Sequence, residues 1–293
     1  MEFRQILAAT DFSAGAEQAC HRAAHLAQQH GATLHLLHVL PAMTWKAFGS
    51  TLVEHPLIIE KHLFKAAEER LENLADAYRQ DHAITVQATV DIGRPYQHIA
   101  DYADKHAIDL AVLGPHAEHM ARDLFIGSTA SRFLRRGAHP ALIARSPADK
   151  PYRQVLVAID FSDTSSLAVE AAASIAPDAT LHLLHVHDVM YDGGMNYAGV
   201  SPGLLQEYRD TASEDARRMM TAFVAERPER DRLQPILREG YPTHVIMDQA
   251  RSLQADLVVL GKRGRSELDR LFLGSVSETL IHTLDRDLLL VAQ

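Results

Sequence analysis

A chain of 293 residues, 47% of them apolar, carries enough hydrophobic material for one large core or two of ordinary size. Its formal net charge of −9 argues against a general nucleic-acid or anionic-membrane surface, since either needs a basic face to displace counterions, and leaves room only for small anions held at local sites. Cys20 stands alone and cannot close an internal disulfide, the opening run FRQILAAT is strand-like and lacks a charged leader, and Pro, Gly and charges interrupt every apolar stretch, so a cytoplasmic protein without a membrane segment is expected.

Taken in chain order, the pattern of the first half recurs in the second. FRQILAATDFS at 3–13 matches YRQVLVAIDFS at 152–162, ATLHLLHV at 32–39 is repeated at 179–186, and DLAVLG at 109–114 returns as DLVVLG at 256–261. The polar, Pro-bounded SPADKP at 146–151 suits a linker, which predicts domains at 1–146 and 152–293. Short apolar runs alternate with longer amphipathic segments, the pattern of βαβ units on a parallel sheet. In the second half strands are expected at 153–159, 180–186, 233–238, 256–260 and 288–292, and helices at 163–175, 202–226, 243–253 and 275–284, with the first half on the same plan. An α/β sheet of this doubly wound type takes ligands at the carboxyl ends of its strands, where the strand order reverses. Two ends draw attention: Asp160-Phe161-Ser162 after the first strand of the second half, and Gly261 after the fourth, followed by a long polar loop.

That loop reads GKRGRSELDRLFLGSVSE, with Gly261, Gly264 and Gly274 spaced G-x2-G-x9-G-S. Glycines allow close backbone approach and positive φ, and Gly274-Ser275 opens a helix whose free N–H groups favour an anion, so phosphate binding is expected. There is no G-x4-G-K-[ST] and no G-x-G-x-x-G after a first strand, which sets aside the two commonest nucleotide motifs.

With this spacing after the fourth strand, the chain resembles the universal stress protein family, twice over and along nearly its whole length. The resemblance implies two tandem doubly wound domains, each a five-stranded parallel sheet in order 3-2-1-4-5 flanked by helices. It implies ATP or a related adenine nucleotide, with or without Mg, in the second domain: phosphates and ribose on Gly261, Gly264, Gly274, Ser275, Val276 and Ser277, ribose and metal near Asp160, and adenine against the backbone at Val186. It also implies pairing of the two domains through ALIARS at 141–146 and LLLVAQ at 288–293, and a homodimer. The first half departs from the pattern: Gly114, Gly127 and Ser128 remain, but Ala117 stands at the middle glycine and Pro115 stiffens the turn, so nucleotide binding is not expected there and the first domain reads as a degenerate partner.

Plainer readings stand beside these. Ser275 and Glu278 make an S-x-x-E capping box that needs no ligand, Lys262, Arg263 and Arg265 read either as neutralising phosphate charge or as a solvated basic run and are left out of the core site, and Asp160 and Asp11 support turns before the helix caps Ser162 and Ser13. His35 and His38 lie three apart on a strand and cannot chelate together; His185 and His187 share a face, and His116 and His119 share the altered loop, without a matching ligand set. No G-x-S-x-G elbow, H-E-x-x-H or reactive cysteine setting exists, so binding is expected rather than catalysis. Two rivals remain: a first domain that takes an apolar or metal ligand, aided by the apolar segment 41–64 with its single Trp45, and a slow Mg-dependent ATP hydrolase.

Overall fold

The computed structural model describes residues 1–42, 56–115, 126–136, 139–146, 150–187, 201–262 and 273–292, with backbone alone at 56–58, 202 and 205. The chain divides into two compact units, Glu2–Lys150 and Pro151–Gln293. The first runs β1 (Gln5–Ala9), α1 (Ala14–His30), β2 (Thr33–Pro41), α2 (Pro56–His82), β3 (Val86–Gly93), α3 (Pro95–Lys105), β4 (Leu110–Leu113), α4 (Ser128–Arg136) and β5 (Ala141–Ile143). The second runs β6 (Gln154–Ile159), α5 (Asp163–Ile175), β7 (Thr180–His187), α6 (Pro202–Ala225), β8 (Leu233–Glu239), α7 (Pro242–Ser252), β9 (Leu257–Gly261), α8 (Ser275–Thr283) and β10 (Asp287–Val291). Within each unit five strands pair in parallel, in the order β3-β2-β1-β4-β5 and β8-β7-β6-β9-β10. Both are therefore doubly wound α/β sheets of order 3-2-1-4-5, and every element bound in the second unit lies within one residue of that read from the sequence.

The apolar runs form strands because helices cover both faces. All four residues of β4 and all five of β10 are buried, and such strands read as continuous hydrophobic stretches rather than as alternation. Pro235 is tolerated in β8 because that strand ends its sheet, pairing with β7 alone. Helix α1 stops at Gly31, whose φ of 62° suits a residue without Cβ and whose N–H turns back to the carbonyls of Ala27 and Gln28. Helices α3 and α7 open on Pro95 and Pro242, where a missing N–H removes nothing from the helix.

Several polar fasteners occur in both units. Asp109 Oδ2 accepts from the N–H groups of Arg4 and Gln5 at 2.7 and 2.8 Å, and Asp256 Oδ2 from those of Arg153 and Gln154 at 2.7 and 2.9 Å, tying the loop before the fourth strand to the start of the first. His35 Nε2 donates to Gln5 Oε1 and His182 Nε2 to Gln154 Oε1, each at 2.7 Å. His38 Nδ1 donates to the Thr10 carbonyl at 2.8 Å and His185 Nδ1 to that of Ile159 at 2.9 Å. These four histidines thus hold strands together, and among the described residues no group of three or more His, Cys, Asp or Glu is arranged to hold a metal. Also among them, no helix is long and apolar enough to cross a membrane.

Candidate functional site

The candidate site of the second unit is built from three neighbouring strand ends and one helix start. In the sheet β6 lies between β7 and β9, with Ile159 opposite His185 and Ala158 opposite Leu260. One further step along each strand brings Asp160 level with Val186, and Gly261 closes β9 beside them. Helix α8 is pinned to this edge: the Gly274 N–H donates to the Lys262 carbonyl at 2.8 Å and the Ser277 hydroxyl to the Gly261 carbonyl at 3.0 Å. Asp160, Val186, Gly261, Gly274, Ser275, Val276 and Ser277 therefore share one edge of the sheet, whereas Gly264 lies outside the described residues.

The turn after β6 is tightly specified. Asp160 Oδ1 accepts from the Ser162 N–H at 3.1 Å, the Ser162 hydroxyl at 2.6 Å and the Ser165 hydroxyl at 2.8 Å. The Asp160 N–H in turn donates to Ser165 Oγ at 3.0 Å. Phe161 takes φ 61°, a left-handed conformation that costs a residue with Cβ about 1–2 kcal/mol, and its ring packs on His185 at 4.3 Å between centroids. The Asp160 side chain is accordingly a turn-former as well as a strand-end carboxylate. Ser162 caps α5 by position, but its hydroxyl turns to Asp160 and makes no cap bond, unlike Ser13, which accepts from the Ala16 N–H at 3.3 Å.

Three expectations need correction. The capping box does not form: Gly274 is the N-cap of α8 and makes no side-chain cap bond, which puts Ser275 at N1 and Glu278 at N4, one position too far to reach back. Positive φ is not what the described loop glycines supply. Gly274 has φ −63°, and the positive-φ glycines among the described residues are Gly31, Gly93 and Gly240. Lys262 is no solvated surface residue: it is 3% exposed, continues β9 by donating its N–H to the Val291 carbonyl at 2.8 Å, and lies beside the start of α8. Its backbone thus borders the helix start where an anion would sit. Arg263 and Arg265 lie outside the described residues.

The corresponding edge of the first unit has a different chemistry. A cleft of about 470 Å³ is lined by Leu37, Val39, Leu40, Ile99, Leu113 and Ala130 among others; among the described residues Asp11 is its charged lining residue, and neither Lys nor Arg lines it. Gly127 N–H donates to the Pro115 carbonyl at 2.9 Å, the counterpart of the Gly274 bond, so the loop is closed in the same way. Gly114 is dictated by packing, since a Cβ there would lie 2.4 Å from the Gly15 carbonyl oxygen in the opening of α1. Ala117, His116 and His119 fall outside the described residues.

This duplicated architecture matches a known family. The model of the universal stress protein family matches residues 2–145 and again residues 151–292. The chain belongs to the universal stress protein family. A universal stress protein of Mycolicibacterium smegmatis is 25% identical over 293 residues, covering 98% of this chain and 96% of that one. Universal stress protein A homolog 1 of Coxiella burnetii is 31% identical over 144 residues, 48% of this chain and 96% of its own. Among solved structures, a universal stress protein from Archaeoglobus fulgidus superposes with a TM-score of 0.73 at 19% identity, covering 100% of this chain and 99% of that one, a likeness of fold. Within this tandem universal stress protein, sequence reasoning passed over Ser165 and the burial of Lys262. Ser165 sits in the helix-opening run DTSS, which suggests capping and nothing more; burial of one residue in a basic run leaves no sequence signal.

Proposed function

We propose that the second domain binds ATP or a related adenine nucleotide and that the first domain is its degenerate partner. The observation that carries this reading is the convergence at one sheet edge of a pinned helix start, Gly274 to Ser277, with the buried Lys262 and the Asp160 turn. Free first-turn N–H groups favour phosphates. A magnesium ion travelling with the phosphates would meet Asp160 with Oδ1 already accepting three hydrogen bonds, so the metal is accessory in this reading. Among the described residues nothing at the edge is placed as both base and acid, so the proposal is for binding without efficient turnover. Calorimetry with ATP tests it: one nucleotide per chain is expected, and either no binding or two equivalent sites would overturn it. Phosphate release measured beside an Asp160→Asn control separates binding from slow hydrolysis.

A second reading rests on the 470 Å³ cleft of the first domain, whose apolar lining and single carboxylate suit an uncharged, largely apolar small molecule better than a polyphosphate. Extraction and mass spectrometry of small molecules that copurify with the protein test it. An apolar compound retained when ATP is added in excess supports it, and an adenine nucleotide displaced from this domain would refute it.

A further inference from the structure

We propose that the outer edge of β3 docks an extended, Lys- or Arg-bearing segment of a partner protein, which joins the first domain's sheet as an added strand. In a parallel ladder the N–H and C=O of one residue point to one side and those of the next residue to the other. The carbonyls of Thr85 and Gly93 accept from the N–H groups of Leu34 and Ala42 on the β2 side, so the main-chain groups of Val86, Ala88, Val90 and Ile92 face outward. Side chains close the two ends of that row: the Arg79 guanidinium donates to the Val86 carbonyl and the Ile92 N–H donates to Asp91 Oδ1, each at 2.8 Å. Between them the N–H and C=O of Ala88 and of Val90 have no partner among the described residues, because β3 pairs with β2 alone. Such a row is a template for another strand.

The second domain supplies the contrast. Leu36 lies opposite Ala88, and Leu183, its repeat, lies opposite Pro235, so the two outer strands share one register. The Gly240 N–H donates inward to the His187 carbonyl, which turns Pro235 and Leu237 outward. Pro235 has no N–H, and the Leu237 carbonyl accepts from the Arg238 guanidinium at 2.9 Å. Proline and charged side chains are the usual means of blunting a sheet edge, and the second domain uses both along the stretch that the first leaves open.

What the open stretch faces decides its occupant. A groove of about 300 Å³ runs along it, lined by Glu68, Glu69, Leu71 and Glu72 of α2 with Ala88 and Val90, and among the described residues neither Lys nor Arg lines it. Glu69 reaches Lys65 at 3.6 Å and Glu72 meets Arg79 at 2.7 Å, whereas Glu68 has no ion pair among the described residues. A strand laid against β3 presents alternate side chains to this groove, where Lys or Arg meets glutamate. A second copy of the chain is the poorer occupant, since β3 paired with its own copy sets the α2 glutamates of one against those of the other.

The experiment titrates the full-length protein into a fluorescently labelled peptide of alternating Lys and Val, its Glu–Val counterpart, and a Lys–Val peptide N-methylated at every residue. Anisotropy reads binding and sedimentation velocity reads self-association. The wild type is expected to bind the Lys–Val peptide at least about tenfold more tightly than either of the others. Ala88→Pro gives the first domain the residue of the second, after a glutamine in both, and should weaken that binding about tenfold with the melting temperature within a few degrees of wild type. Glu68→Lys combined with Glu69→Lys should reverse the preference between the Lys–Val and Glu–Val peptides. No binding by the wild type, equal binding of the N-methylated peptide, or unchanged affinity in Ala88→Pro would overturn the proposal. Self-association of the wild type that Ala88→Pro abolishes would also overturn it, by giving the edge to a second copy of the chain. If Ala88→Pro does not fold, the wild type's choice between the Lys–Val peptide and its N-methylated form decides alone.

Discussion

At the end of its first strand the first domain carries Thr10-Asp11-Phe12-Ser13 and the second Ile159-Asp160-Phe161-Ser162. In both, the phenylalanine sits in the left-handed region, at φ 63° and 61°, with its ring against the second-strand histidine at 4.5 and 4.3 Å. Both copies keep a strained turn whose cost the packing offsets. They part company at the side chains around it. Asp11 Oδ1 accepts from the Ser13 N–H at 3.0 Å, whereas Asp160 Oδ1 gathers three donors, because the Ser162 hydroxyl turns to it where that of Ser13 caps its helix, and because Ser165 stands where the first domain has Ala16. Leu40 becomes His187, Pro115 becomes Lys262 and Ala130 becomes Ser277, each change replacing an apolar group by a polar one along the same edge. A duplicated frame with divergent edges teaches that the fold's fasteners and the ligand's partners are separate sets of residues, and that they can be tested separately.

The largest expected effect lies at Gly264, which enters through the glycine spacing. Gly264→Val should weaken ATP binding at least about a hundredfold, because a branched side chain displaces phosphate oxygens from loop N–H donors worth about 1.5–3 kcal/mol each. The melting temperature should stay within a few degrees of wild type, and unchanged affinity in calorimetry would refute the phosphate-loop assignment. Ala117→Gly in the first domain should not confer binding, since Pro115 still occupies the place of Lys262.

Next comes a pH effect on a fastener. Burial, reinforced by the neighbouring His106, pushes the imidazole of His35 down to about 4 from an ordinary 6.5. Nε2 donates to Gln5 and Nδ1 accepts from the Tyr102 hydroxyl at 3.0 Å, an arrangement that suits the neutral ring. The unfolded chain therefore binds the extra proton first, so the contribution is complete above pH 6.5 and is lost as pH falls toward 4, by up to about 3 kcal/mol. His182, also lowered by burial, should add a loss of the same sign from the second domain. Denaturant titrations across this window check it: His35→Gln should flatten the profile, and an equally steep one would place the acid sensitivity elsewhere.

A smaller and symmetrical effect is expected at the strand-start aspartates. Asp109→Ala and Asp256→Ala each remove a carboxylate oxygen that accepts two backbone N–H groups, and each should cost about 2 kcal/mol of its domain's stability. Markedly unequal losses in chemical denaturation would show that the two frames are not energetically equivalent.

The frame was legible in the sequence because its determinants are local: uninterrupted apolar runs such as DLVVLG can only be buried strands, and their repetition fixed the order of elements. The strand-end position of Asp160 and the start of a helix at Gly274-Ser275 were legible for the same reason. The tertiary partners were not. Nothing in the helix-opening DTSS says that Ser165 turns back to Asp160, and nothing in a basic run says that Lys262 is buried. The capping box failed because S-x-x-E signals a cap only if the serine is the N-cap, and Gly274 takes that place.

The smallest effect sought is at Ser165, where the two domains differ by one hydroxyl beside the same aspartate. Ser165 is 3% exposed, its hydroxyl donates to Asp160 Oδ1 at 2.8 Å, and Ser165 Oγ accepts from the Asp160 N–H at 3.0 Å. Ser165→Ala gives the second domain the residue of the first and removes the Oγ that accepts from the Asp160 N–H. The cost should be about 1 kcal/mol in stability, since the Ser162 hydroxyl and N–H still hold the carboxylate. If Asp160 meets the ribose, its carboxylate becomes freer to rotate and ATP affinity should fall about three- to tenfold, with tripolyphosphate affinity unchanged. The reciprocal Ala16→Ser should bring no ATP binding to the first domain, because Leu40 and Pro115 keep that edge apolar. A Ser165→Ala protein that loses stability yet binds ATP as the wild type does would assign Asp160 wholly to the turn, leaving the phosphate end of the site to carry the nucleotide.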